Sequence, residues 1–509
     1  MKKIIPLLKS KVFLMLLLLL CLSYSVWWQI PNLAIRGDGF VYLIERVRNG
    51  YWRIPEVFGH VELGSLLLTR TITPIFKTNI SLYWTAELVV IFAINVLTFT
   101  AVYIISRKLV VAFAAALIQA VSFFGNWDMY AGGIYAYFTD RVPNMLFMIP
   151  GLLFLHLYLD KKKRKYFILS AIFYFLGVFI WHWSLFFTGF FFCYPIFWLL
   201  FTKITRKNLI KYIPVSIYYL AVSVFVTYLQ NVTQAGLNPR WTFRYFLMHP
   251  EVFHYWAMTI RQLVYVSEYA PIFKGFAEPF RYINTPLHYI ISPQNAIEIT
   301  SKVVLGYIIA SIVIFIKLPK FRALLFTLIV AILSNFFMNV YVGQYHVATQ
   351  SGSNRYLYIP AFYLSIFWAL FLWAFCWMKK SWLNLVGVLL LGVYFGLNYW
   401  LIYQNFQWIM ERHIPTNAVW AKAVEVGEKS PTGTLIIIPY FETGPYEAEF
   451  LNDQIGKGRV TFISDDTVDL IKAIPHSNNI INIEYDKFCR CVVEEGVKSK
   501  SDLLKSIKL

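Results

Sequence analysis

Charge is scarce in this sequence, and the motifs of soluble nucleotide and metal enzymes are missing. Only 14% of the 509 residues are charged, whereas a soluble protein carries about 25%. The chain has no Gly-rich phosphate loop, no zinc-type spacing of His and Cys, no internal repeat and no low-complexity segment. These absences argue against a soluble P-loop or zinc enzyme and against a repeat protein. We also expect no nucleic-acid partner.

Cysteine is scarce as well and gives little guidance on folding. Cys21, Cys193 and Cys376 lie in apolar runs, where a small buried side chain is the simplest interpretation. Cys489 and Cys491 form a C-x-C near the end of the chain. Two ligands are too few for a structural zinc site, which needs four. We therefore predict an ordinary surface pair there and no metal site.

Long apolar runs are abundant. The chain is 58% hydrophobic and 19% aromatic, and runs of roughly 17 to 25 apolar residues are long enough to cross a bilayer as helices. No small-residue cleavage site follows the first run, and "VWWQIP" resembles an aromatic anchor at the interface, so we expect a retained first span. The runs start near Lys11, Ser81, Leu109, Pro143, Tyr166, Ser184, Leu209, Lys302, Ala323, Leu357 and Trp382.

Basic clusters between the runs predict the orientation in the membrane. All of them fall on the side of the N-terminus, and the positive-inside rule makes that side cytoplasmic. The sequence thus predicts an α-helical polytopic protein of the plasma or inner membrane with about eleven transmembrane helices. The clusters are residues 107–108, 161–165, 203–207, 317–322 and 378–380.

The long connections lie on the predicted outer side. Residues 1–403 form the expected transmembrane domain, and residues 404–509 lose the apolar runs. In this tail, strand-like pieces such as "TGTLIIIPY" and "GRVTFISDD" alternate with helix-like pieces. The alternation predicts a small extracytoplasmic α/β domain. The outer loops are residues 31–80, 125–142, 230–300 and 341–356.

Arginine is concentrated in these outer loops, whereas the inner clusters are mostly lysine. Arginine presents a rigid fork that binds phosphate with two hydrogen bonds. The pattern favours a phosphate-bearing ligand on the outer side. The alternative is that these arginines pair with outer acids and lipid headgroups.

One carboxylate stands between two glycines directly after the first span, in "PNLAIRGDGFVYLIERV" (31–47). Asp38 fits the N-cap of a short amphipathic helix. It also fits a general base that takes a proton from an acceptor hydroxyl, because the flanking glycines let a substrate approach the backbone closely. The residues alone leave both interpretations open.

The arrangement resembles the GT-C superfamily of glycosyltransferases, which use sugars carried on polyprenyl phosphates. About eleven spans, an early outer carboxylate, a long later outer loop and a C-terminal outer domain carry this resemblance. The segment "SNRYLYIPAFYL" (353–364) is similar to the Arg-Tyr-Leu-Tyr-Leu-Pro stretch of transmembrane O-mannosyltransferases. The tail lacks the Trp-Trp-Asp-Tyr-Gly motif of oligosaccharyltransferases, and "NWDMY" (126–130) lies in the second loop instead.

The resemblance implies an inverting transfer from a polyprenyl-phosphate sugar to a protein, lipid or glycan acceptor, without a cofactor. Family members place the base on the first outer loop, and Asp38 is the position that matches. Many members carry an acidic pair there, whereas this chain has a lone aspartate, so another substrate or a loss of activity stays open.

Fixed cations would stabilise the departing lipid phosphate. Arg355 beside Tyr356 is the first choice, followed by Arg141, Arg244 and Lys274. An Arg–Tyr pair at the start of a span is also a common interfacial anchor.

Further polar residues are candidates for substrate binding. His60, Glu62 and His346 suit the acceptor or the phosphate, and Asp128 and Asp140 suit a sugar or a divalent ion. Two carboxylates do not make a metal site, so no metal is predicted. Glu87, about six residues into the second run, is costly in hydrocarbon and is expected to face a cavity or a buried polar partner.

Two other functions remain possible on the sequence. A polymerase or ligase of surface polysaccharide would use the loop of residues 231–300 rather than Asp38. A transporter or lipid flippase would show inverted repeats and broken helices in matching halves, and the sequence shows neither.

Overall fold

The computed structural model describes residues 10–34, 71–122, 142–180, 182–202, 204–233, 296–342, 358–378, 382–439 and 445–465, and parts of 470–496. Within these residues, eleven helices of at least thirteen residues precede a small sheet. They are α1 (Lys11–Trp27), α2 (Ile80–Ser106), α3 (Leu109–Val121), α4 (Val142–Lys161), α5 (Arg164–Ile180), α6 (Thr188–Phe201), α7 (Arg206–Thr233), α8 (Ala296–Lys317), α9 (Arg322–Val342), α10 (Tyr358–Leu372) and α11 (Leu383–Lys429).

Each apolar run expected from the sequence coincides with one of these helices. In the described part of the chain, seven helices are long and apolar enough to cross a membrane. The number is eight if α8 and α9, which meet at an angle of 114°, count as one bent span. Helices α3 and α5 are shorter, at 13 and 17 residues. These helices indicate a multi-pass membrane protein.

The helices differ in how deeply they are enclosed. Helix α10 with the π-helical turn that follows it has 78% of its span buried, and it packs against α3, α8 and α9. The apolar part of α11 has only 11% buried and exposes Leu385, Val388 and Leu389. A helix that is apolar all round needs either other helices or lipid around it. Helix α10 is therefore central, and α11 lies at the lipid-facing edge.

Hydroxyl groups join α5, α6 and α7 inside the bundle. The Tyr174 hydroxyl lies 2.9 Å from Thr188 Oγ1 and 2.5 Å from Ser223 Oγ, and the last two are 2.8 Å apart. Interhelical hydrogen bonds of this kind hold membrane helices together where water is absent, at about 0.6 kcal/mol each. These three hydroxyl groups thus satisfy one another.

Helix α11 continues far beyond the membrane. Its 47 residues run without a break across the boundary expected at 403/404 and end at Lys429. The Arg459 guanidinium donates hydrogen bonds to the carbonyl oxygens of Gly427 and Ser430. A cation satisfies the free carbonyls at a helix C-terminus and complements its dipole. Helix α11 thus connects the helical bundle to the C-terminal sheet without a break.

The sheet has four strands in the order β2-β1-β3-β4. Strand β1 (Thr434–Ile438) is parallel to β2 (Val460–Ser464) and to β3 (Asn479–Asp486), and β4 (Cys491–Gly496) is antiparallel to β3. A short helix α12 (Pro445–Leu451) connects β1 to β2. The small sheet expected in the tail is present, with β4 as an additional strand.

Strand β1 is buried on both faces, which explains its continuous run of aliphatic residues. Ile436 and Ile438 belong to the core that continues into α11, whereas Leu435 and Ile437 pack against residues 470 and 474 on the opposite face. The Lys422 ammonium on α11 lies 2.9 Å from a carboxyl oxygen of Glu494 on β4.

The cysteines depart from expectation at two places. Cys489 and Cys491 form a disulfide at the turn before β4, where we expected an unremarkable surface pair. A spacing of two residues gave no sign of it. Of the three cysteines in apolar runs, Cys376 is buried as expected, but Cys21 is exposed on the surface of α1. A small apolar side chain tolerates a lipid-facing position as readily as a core position.

Candidate functional site: a buried polar cluster where the outer loops begin

The residues singled out from the sequence as catalytic or binding lie outside the described residues. They are Asp38, His60, Glu62, Asp128, Asp140, Arg141, Arg244, Lys274, His346, Arg355 and Tyr356. The structure does describe the residues that flank several of them. These flanks define the end of the bundle from which the predicted outer loops start.

Three helices bring polar side chains together at this end. Glu87 of α2 is completely buried, and so is the Tyr358 side chain at the start of α10. The Gln119 side chain of α3 hydrogen-bonds the Tyr358 hydroxyl, and the Glu87 carboxyl group is close enough to interact with that hydroxyl electrostatically. We call Glu87, Gln119 and Tyr358 the Glu87 cluster.

The described residues provide neither a hydrogen-bond donor nor a cation for the Glu87 carboxyl group. Among the described residues, neither carboxyl oxygen has a hydrogen-bond partner and no cation forms an ion pair with it. A buried donor or acceptor without a partner costs about 1–3 kcal/mol, and a charged group costs more. An ionisable residue inside a membrane bundle is a candidate for function because its cost must be offset elsewhere. The expectation that Glu87 faces a polar partner holds in part, through Tyr358.

A second buried polar group without a partner lies near the start of α4. Both amide atoms of Asn144, three residues after Arg141, are buried and have no hydrogen-bond partner in the described part of the chain. Helices α2 and α4 pack together, and their last turns line one common pocket at the far end of the bundle. The two helices therefore run in the same direction, so Asn144 lies at the same end as Glu87.

The end of α1 reaches this same end of the bundle. The Trp27 indole N–H donates to the carbonyl oxygen of Ala120, next to Gln119, at 2.7 Å. Residues Ile30–Asn32 pack against α2. We expected both tryptophans of "VWWQIP" to be interfacial anchors. Trp27 is instead 1% exposed and part of the core, and only Trp28, at 47%, faces outward.

One face of α11 holds both ends of the first loop. The Ala34 N–H donates to Nδ1 of the buried His413 at 2.8 Å, and Asn417 Nδ2 donates to the Asn32 carbonyl oxygen at 2.8 Å. The Trp420 indole N–H donates to the Thr78 carbonyl oxygen at 3.0 Å. Residues 34 and 78 flank the loop that carries Asp38, His60 and Glu62. We call His413, Asn417 and Trp420 the α11 clamp.

The state of the His413 ring follows from this geometry. A ring nitrogen that accepts a hydrogen bond carries no proton, so His413 is neutral and holds its proton on Nε2. A neutral imidazole is the form that can sit in a buried position without a counter-charge. His413 thus acts as a fixed acceptor that positions the backbone of the first loop.

Sequence analysis missed the clamp and Gln119. The clamp positions are spaced i, i+4 and i+7, which places them on one face of a helix. The spacing is present in "HIPTNAVW" (413–420), but this stretch was assigned to the tail domain without a helix prediction of its own. Gln119 gave no signal, because a single amide in an apolar run does not show what it faces.

In the described part of the chain, no group of three or more His, Cys, Asp or Glu side chains could hold a metal ion.

Comparisons with known proteins do not narrow the chemistry further. No known protein family and no curated protein matches the chain.

Proposed function

We propose that this protein is a membrane glycosyltransferase of GT-C type. It crosses the membrane eleven times, with the N-terminus in the cytoplasm and the sheet outside. It transfers a sugar from a polyprenyl-phosphate donor to a protein, lipid or glycan acceptor on the outer side. The eleven helices, the distribution of basic turns and the segment 353–364 support this proposal.

One observation carries the proposal: described residues that neighbour the predicted site residues in sequence lie at the same end of the bundle. Ala34 is held there by the α11 clamp, and Tyr358 belongs to the Glu87 cluster. Asp38 follows Ala34 by four residues, a reach of at most about 14 Å, and Arg355 precedes Tyr358 by three residues, at most about 11 Å. The chain therefore permits a carboxylate and a guanidinium to meet over the same buried polar cluster.

The chemistry needs both groups. The acceptor hydroxyl attacks the anomeric carbon of the donor, and Asp38 takes the hydroxyl proton as the new C–O bond forms. The bond between the anomeric carbon and the phosphate oxygen breaks on the opposite face, which inverts the centre. The electron pair leaves with the polyprenyl phosphate, and Arg355 stabilises the growing negative charge with two hydrogen bonds. Arg141, Arg244 and Lys274 are further candidates for this role.

Sugar transfer from a labelled polyprenyl-phosphate sugar tests the proposal. We compare membranes that hold equal amounts of wild type, Asp38→Asn and Glu45→Gln. We expect Asp38→Asn to lower the transfer rate by about 10²–10⁴-fold, the range for a general base, and to leave donor binding intact. Glu45→Gln is the matched control, because it removes a carboxylate from the same loop that has no proposed role.

Two results would contradict the assignment. Equal transfer by wild type and Asp38→Asn would make Asp38 a helix cap and move the search to residues 231–300, as a polysaccharide polymerase or ligase requires. A wild type that transfers from no donor but moves a labelled lipid between leaflets would replace the enzyme with a transporter.

A further inference from the structure

A second site lies at the opposite end of the bundle, away from the Glu87 cluster and the sheet. The last turns of α2, α4 and α6 and the turn between α8 and α9 line an open pocket of about 570 Å³. Ligand pockets in proteins commonly measure about 300–1,000 Å³. Its polar lining consists of Arg107, His156, Asp160, Thr202 and Lys320. We call it the Arg107 pocket.

The cations of this pocket are available to a ligand. In the described part of the chain, no carboxylate lies within ion-pair distance of the Arg107 guanidinium or the Lys320 ammonium. Both residues are exposed. The neighbouring Arg322 differs, because its guanidinium stacks on the Phe315 ring and donates to the Phe315 carbonyl oxygen. The pocket therefore presents two uncommitted cations against the single carboxylate of Asp160.

The remaining wall of the pocket is apolar and rigid. Ile104, Leu157, Trp198, Phe201 and Phe321 line it. Trp198 is fixed edge-on against His156, whose Nδ1 lies 2.7 Å from the Tyr194 hydroxyl. The pocket has a charged rim beside an aromatic and aliphatic wall, and it lies at the ends of membrane helices. This combination suits an amphiphilic ligand, with its charged group at the rim and its apolar chain along the wall. A free phosphate ion would use only the rim.

We propose that the Arg107 pocket binds an anionic glycerophospholipid. Arg107 and Lys320 hold the phosphodiester, Asp160 accepts a hydrogen bond from a headgroup hydroxyl, and an acyl chain lies along the Trp198–Phe201 wall. Basic pockets between membrane helices bind anionic headgroups in this way. With the sheet outside, as proposed above, the site faces the inner leaflet. It is separate from the proposed donor site and does not depend on the transfer reaction.

Native mass spectrometry of the full-length detergent-solubilised protein tests this proposal, with phosphatidylglycerol as the probe. Arg107→Gln/Lys320→Gln should weaken binding about thirtyfold, given the contribution of each basic residue near anionic lipid. Lys163→Gln/Lys207→Gln removes the same charge from exposed positions at the same end of the bundle and should leave binding within about twofold. Thr202→Trp fills the cavity without a charge change and should weaken binding at least as much as Arg107→Gln/Lys320→Gln does.

Two further binding measurements distinguish an anionic phospholipid from a neutral phospholipid and from a free phosphate ion. Phosphatidylcholine should bind far more weakly than phosphatidylglycerol, and inorganic phosphate should not displace the lipid. Equal losses in both double variants, or equal binding of the two lipids, would overturn the proposal. Displacement by inorganic phosphate alone would also overturn it, in favour of a free-anion site. Apparent melting temperatures of all variants near that of the wild type show that the fold is intact.

Discussion

Glu87 is the residue whose environment is hardest to explain by packing alone. It is fully buried in α2, and neither carboxyl oxygen has a hydrogen-bond partner among the described residues. Elsewhere in the bundle, Tyr174, Thr188 and Ser223 satisfy one another. A buried carboxyl group without a partner costs free energy, and under the proposed function a bound substrate supplies the partner that the described residues lack.

Replacement of Glu87 should therefore change the stability of the protein and its transfer activity in opposite directions. We expect Glu87→Leu to raise the apparent melting temperature of the solubilised protein, because it removes an unsatisfied buried group worth on the order of 1–3 kcal/mol. The same variant should lower sugar transfer. Thr98→Val removes a buried hydroxyl of the same helix that has no partner among the described residues, and it should not affect transfer. A lower melting temperature in Glu87→Leu would mean that the carboxyl group stabilises the bundle, against this interpretation.

At the scale of elements, α11 links three parts of the molecule. Its first half faces lipid, its middle carries the clamp, and its last turns pack against the sheet. Because the helix is continuous, one element contacts both the sheet and the described residues that flank the first loop. The α11 clamp holds Asn32, Ala34 and Thr78, on either side of the residues that include Asp38.

Loss of the clamp should loosen the loop ends and leave the bundle folded. His413→Ala removes the acceptor of the Ala34 N–H, so we expect about tenfold to a hundredfold faster hydrogen exchange of that amide. Transfer should fall in kcat. His413→Asn has an amide oxygen that can accept the same hydrogen bond. It should restore part of the exchange protection of the Ala34 amide and part of kcat. Ile414→Ala changes the exposed neighbour and serves as the control. Unchanged exchange at Ala34 in His413→Ala would refute the clamp.

At the scale of the whole molecule, the disulfide supports the proposed orientation of the sheet. Disulfides persist in oxidising compartments and are rare in the cytosol. Cys489 and Cys491 are bonded in the sheet that follows α11, and the basic turns lie at the other end of the bundle. Both features agree with a sheet on the outer side.

Cysteine labelling in intact cells should show this orientation. In a chain whose Cys21, Cys193 and Cys376 are replaced by Ala, a membrane-impermeant maleimide should label Cys489 and Cys491 only after an impermeant reductant is added. Lys163→Cys in the same background should stay unlabelled until the cells are opened. Labelling of Lys163→Cys in intact cells would invert the proposed topology and place the Arg107 pocket outside.

The sequence determined the elements, because the signals for them are local. A run of apolar residues long enough to span hydrocarbon must satisfy its own backbone hydrogen bonds, so each run became a helix. Strands β1, β2 and β3 were equally readable from β-branched runs between turn residues, whereas β4 was not predicted. The residues proposed for catalysis and binding, Asp38 and Arg355 foremost, lie outside the described residues, so the sequence supplies their identity and the described flanks supply only the reach of the chain.

Only the tertiary structure decided which side chains meet. The bond between Ala34 and His413 spans 379 residues of sequence, and that between Trp27 and Ala120 spans 93. No local pattern encodes such pairs, because hydrophobicity sets which face of a helix is buried but not which neighbour covers it. A carboxyl group in an apolar run is itself a local signal, so the sequence identified Glu87 as costly to bury. Its neighbours Tyr358 and Gln119 could be found only from the packing of α2, α3 and α10.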